Sequence, residues 1–187
     1  MNYTNYQKSR DAAWQILIDF KISSLPVKIS DICRALGIEV KLAKIDSDSD
    51  GFSFMKDGKP VILLNANCTN NGRLRFTCAH ELGHIILGHV GAYELVSREP
   101  SPMDNPIEQA ANVFASRILA PACVLWGCRV KCAEDIVKLC EISYAAAEYR
   151  MARMNVLYAR NKFLTSPLER EVFKNFREFI QIHRKSF

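Results

Sequence analysis

The sequence predicts an α+β fold arranged around one helix that carries chemistry. Three observations predict it. His80-Glu-Leu-Gly-His84 lies inside a run of helical character, residues 73–89. Residues 38–65 alternate apolar and polar side chains between turn residues, which reads as strands forming a small antiparallel or mixed sheet. On both sides of that stretch, apolar residues return every three or four positions, as on one face of a helix.

In chain order, Ala12, Ala13, Ile16, Leu17 and Phe20 predict a helix over residues 11–20. A second helix is expected over 29–36, capped by Ser30 and stopped by Gly37. Residues 38–45 alternate as a strand. Residues 46–57 carry acids at EF-hand calcium positions, but strands flank the segment and the last acid is Asp57, so it reads as a turn. Residues 52–55, Asp57-Gly58 and 61–65 predict a hairpin. Its strand 61–65, or that strand's neighbour, is expected to be the sheet edge nearest the reactive helix, which Arg73 or Arg75 opens.

Two histidines at i and i+4 share one face of a helix, so both imidazoles can reach one metal ion. Glu81, next to the first, can take a proton from a water there. His80, His84 and Glu81 thus show the spacing of zinc hydrolases. A catalytic zinc has three protein ligands and an open position. The pattern with a His six residues after the second His is absent, because Val90 stands there and Leu87 replaces the intervening Gly. His89 lies about 180° around a continuous helix from His80 and reaches the same ion only if the helix breaks at Gly88. Glu108 admits two readings. It can be the third ligand, or it can close a capping box with Asn105 at the start of a helix opened by Pro106. Ala110, Ala111 and Ala115 keep that helix slim, and Asn112, one turn on, can hold a ligand from behind. Residues 91–106, with three prolines, read as a loop over the site, and Tyr93 within it is a candidate oxyanion stabiliser.

Beyond Pro121, residues 133–140 and 144–154 predict a short helix pair with a Ser-led turn, resembling a helix-turn-helix. Met151, Met154 and Leu157 are expected to face the core. Residues 168–184 predict a last amphipathic helix.

Arg75-Phe-Thr-x-Ala-His-Glu-Leu-Gly-His84, then Glu108-x-x-Ala-Asn-x-Phe-Ala115 and Leu119-Ala-Pro121, resemble the ImmA/IrrE-type metallopeptidases. The resemblance runs from about residue 12 to about 157. Two departures are Cys78 in place of an aliphatic residue and Ala120-Pro121 in place of Met-Pro. The resemblance implies a zincin-like core, Zn2+ held by His80, His84 and Glu108, and a helix-turn-helix repressor as the protein cleaved.

The 187 residues fit one metallopeptidase domain over 1–165, with 166–187 as a C-terminal helix. No apolar run looks long enough to span a bilayer, and the first residues lack a signal-type segment, so a cytoplasmic protein is expected. Seven cysteines without paired Cys-x-x-Cys spacing read as reduced thiols. The net charge is +5, and residues 150–187 hold nine Lys/Arg against three Glu, a net of +6. That tail reads as a solvated face. A DNA-binding regulator using Arg150, Arg153, Arg160 and Lys162 is the competing expectation.

Overall fold

A computed structural model of the chain describes residues 3–46, 49–90 and 105–184. They form a mixed α/β fold with a small three-stranded sheet. The chain packs as two compact units, Met1–Ala12 with Lys28–Ala115 and Ala13–Val27 with Ser116–Phe187. Helix α1 (Tyr3–Asp19) begins well before the apolar periodicity that predicts it.

In the first unit, α2 (Ile29–Ala35) buries Ile29, Ile32 and Cys33. Ser30 lies inside this helix, and Lys28 holds the cap position expected for the serine. Strand β1 (Glu39–Ala43) follows, then β2 (Gly51–Lys56) and β3 (Lys59–Asn65). Asp57 and Gly58, both at positive φ, turn β2 into β3, as a type I′ hairpin requires. The sheet order is β1-β3-β2, with β1 parallel and β2 antiparallel to β3. Strand 61–65 is therefore central, and its neighbour β2 is the edge beside the next helix. The reason is burial. β3 sinks Val61, Ile62 and Leu64, whereas β1 leaves all but Val40 exposed.

Helix α3 (Asn71–Ile86) packs on β2 and β3. It starts before either arginine because Asn70 caps it, its Oδ1 accepting from the Arg73 N–H at 3.0 Å. Helix α4 (Pro106–Leu119) follows, and Ala111 and Phe114 are fully buried on it.

The second unit contains α5 (Ala122–Gly127), α6 (Ala133–Cys140), α7 (Tyr144–Arg160), α8 (Pro167–Asn175) and α9 (Arg177–His183). The sequence did not announce α5. The final amphipathic stretch is two helices, interrupted at Phe176. α6 packs on α7, with Glu141 left-handed between them and Ser143 Oγ accepting from the Ala146 N–H. Met151 and Met154 are buried, and Leu157 only partly so. All seven cysteines are free thiols. The run Pro106–Gly127 is long and apolar enough to cross a membrane, against the expectation from sequence, but 72% of its apolar window is buried inside the fold.

Candidate metal centre

On α3, residues three and four apart share a face. Thr77, Glu81 and His84 are buried on this helix and His80 is half-buried. The two imidazoles stand edge to face with ring centroids 4.7 Å apart, and their Nε2 atoms are 2.9 Å apart.

Glu108 comes to them from the first turn of α4. Asn105 caps that helix, its Oδ1 accepting from the Ile107 N–H at 2.9 Å. Glu108 does not reach back to complete a capping box. Its Oε2 lies 3.1 Å from His80 Nε2 and its Oε1 3.4 Å from His84 Nε2. His80, then His84, hold its carboxyl well below the usual carboxylate range, outweighing the opposing effect of burial.

The helices also meet closely at a residue the sequence analysis did not single out. The small residue at the contact is Gly83 on α3. A Cβ there would lie 3.0 Å from Phe114 Cδ1 and 3.2 Å from Phe114 Cβ. Ala110, Ala111 and Ala115 of α4 are buried as well.

Each imidazole is also held at its outer nitrogen. Asn112 Oδ1 lies 2.9 Å from His80 Nδ1. His89 Nδ1 lies 3.1 Å from His84 Nδ1. His89 gets there because α3 ends at Ile86 and Gly88 adopts φ +75°, so the His89 N–H donates back to the His84 carbonyl at 2.8 Å. The break at Gly88 therefore happens, yet it brings His89 behind His84 and not among the converging atoms. Burial, and secondarily His84, lower the His89 pKa from 6.5. The glycine after the motif was the available signal for this contact.

Glu81 is 2% exposed, and its Oε2 accepts from Ser53 Oγ on β2 at 2.8 Å. Nothing in the spacing of the motif pointed to Ser53, which lies 28 residues away. Tyr93 lies outside the described residues.

One atom each from His80, His84 and Glu108 lies within 4.8 Å of the others, a group that can hold a metal ion. The donor chemistry fits a small divalent cation. With its Nδ1 proton accepted by Asn112 Oδ1, a neutral His80 would offer its Nε2 lone pair to a bound cation. Tetrahedral zinc with bonds of about 2.0–2.1 Å sets its donors about 3.3 Å apart. The separations of 2.9, 3.1 and 3.4 Å bracket that value.

An imidazole pair on one helix, a carboxylate from the next and a buried carboxylate beside the first imidazole form the kind of site seen in metal-dependent peptidases. Residues 33–152 match the IrrE N-terminal-like domain, a peptidase family, and the chain belongs to that family. The family indicates a metallopeptidase, and the matched span contains every residue described at this site. No curated protein matches the chain.

Proposed function

We propose that this chain is a zinc-dependent endopeptidase whose metal is held by His80, His84 and Glu108 and whose general base is Glu81. The observation that carries the reading is the convergence of two imidazole nitrogens and one carboxylate beside a buried second carboxylate. A bound zinc would polarise the scissile carbonyl and bring the pKa of a water toward about 7. Glu81 takes a proton from the attacking water and hands it to the leaving amine nitrogen. Asn112 and His89 hold the outer nitrogens of the two imidazoles and so fix their tautomers and orientation. Among the described strands β2 is bonded on one side only, to β3, so an extended substrate segment can add along its other edge.

The proposed substrate is a helix-turn-helix repressor, cleaved in the cytoplasm to relieve repression. Support comes from family membership and the site. The DNA-binding reading is weakened by one observation. Arg150, one of the four cations it would use, is 2% exposed and donates from Nε to the Ala120 carbonyl at 2.8 Å.

The test is incubation of zinc-loaded protein with a repressor encoded beside it, followed by mass analysis of fragments. Glu81→Gln should retain zinc and fold while cleavage falls by about 10²- to 10⁴-fold. Cleavage by the Gln variant at the wild-type rate would refute the role of Glu81.

A further inference from the structure

We propose that Ser53 is a positioning residue for this reaction, fixing the Glu81 carboxylate from the edge strand. The inference rests on the peptidase reading above.

The placement follows from two periodicities running side by side. On β2 the side chains alternate. Phe52 and Phe54 lie together, ring centroids 5.7 Å apart. Gly51 and Ser53 therefore share the other face. On α3, Thr77 and Glu81 are one turn apart and share a face. Two residues of strand advance about 6.8 Å and four residues of helix about 6 Å, so the two rows stay in step. Gly51 sits opposite Thr77, where a Cβ would come within 2.9 Å of Thr77 Cγ2 and 2.7 Å of the Leu63 carbonyl oxygen. One step further, Ser53 Oγ donates to Glu81 Oε2 at 2.8 Å. Gly51 brings the strand against the helix, and Ser53 uses that proximity.

The consequence is chemical. The hydrogen bond engages Oε2 of a carboxylate that is 2% exposed and restrains the orientation of the group. It thereby sets where Oε1, the other oxygen, points for proton transfer. Ser53 also lies on the strand along which a substrate segment would add, so the base is tied to the element that would align the scissile bond.

The experiment uses the full chain with Ser53→Ala and Ser53→Thr. With repressor as substrate, Ser53→Ala should lower kcat about 10- to 100-fold while KM and zinc content stay within about twofold. Ser53→Thr keeps the hydroxyl and suits a strand, and it should recover kcat to within about threefold of wild type. An unchanged kcat in Ser53→Ala, or a Thr variant as slow as the Ala variant, would overturn the assignment. A second arm needs no turnover. In urea unfolding of metal-free protein, Ser53→Ala and Glu81→Ala should be non-additive, with coupling of about tenfold in the unfolding constant. Additive effects overturn the inference, whereas wild type that cleaves nothing while the coupling persists counts against the peptidase reading alone.

Discussion

The corner where α3 meets α4 and the α6–α7 helix pair use their polar side chains in opposite ways. At the corner, His80, His84 and Glu108 turn their reactive atoms toward one another, and Asn112, His89 and Ser53 hold the groups around that point from outside. In the helix pair the polar groups close local structure. Ser143 caps α7, Tyr144 donates to Glu134 and the buried Arg150 donates to the Ala120 carbonyl. The Arg150 Nε bond to a backbone carbonyl inside the fold serves a structural role. Two imidazoles and a carboxylate aimed at one point form a group that can hold a cation. This difference counts against Arg150 as a DNA contact, one of the four cations that the competing reading would use.

One large effect that would break the comparison is on stability in the helix pair. Replacing Arg150 with Leu should destabilise the protein by about 1–3 kcal/mol, because the Ala120 carbonyl loses its donor inside the fold. Zinc content per folded molecule should not change. Urea denaturation with metal analysis of the same sample checks both. Loss of zinc without loss of stability would contradict the structural role.

Gly83→Ala should act the other way. Its Cβ meets Phe114, so α3 and α4 must move apart by a few tenths of an ångström at a cost of about 1–3 kcal/mol. Glu108 then sits less well against the histidines, and zinc affinity, measured by chelator competition, should fall by about tenfold. Unchanged affinity would mean that Glu108 is not placed by this contact.

What the sequence revealed followed from regular periodicity. The His80/His84 spacing, the hairpin around Asp57-Gly58 and the α6–α7 turn are local patterns whose geometry is set within a few residues. What it hid depended on contacts distant in sequence or on irregular backbone. Ser53 meets Glu81 only through sheet and helix packing, and β3 lies at the sheet centre because β1 pairs on its far side. His89 was expected at the ion only if the helix broke at Gly88, and the left-handed Gly88 does break it. The spacing alone did not show that His89 would come to rest behind His84. Glu108 stood between two local roles, and only the approach of α4 decided where its oxygens lie. The break at Phe176 in the last amphipathic stretch has no proline or glycine to announce it.

The smallest effect concerns pH. Burial favours neutral His89, so its folded pKa lies below 6.5. The unfolded chain then binds more protons as pH falls, and this contribution to stability is complete above about pH 6.5 and lost as pH drops through the lower folded value. In metal-free protein, His89→Gln should flatten the stability curve over that window. An unaltered slope would show that His89 is not held neutral behind His84.

The central claim is most directly tested by zinc stoichiometry in equilibrium dialysis of wild type and Glu108→Gln. The account predicts about one zinc per wild-type chain, and a variant that keeps the wild-type helical circular dichroism but loses the metal at the same free zinc concentration. A wild-type chain that stays empty in excess zinc, or a variant that binds zinc as tightly as wild type, would contradict it.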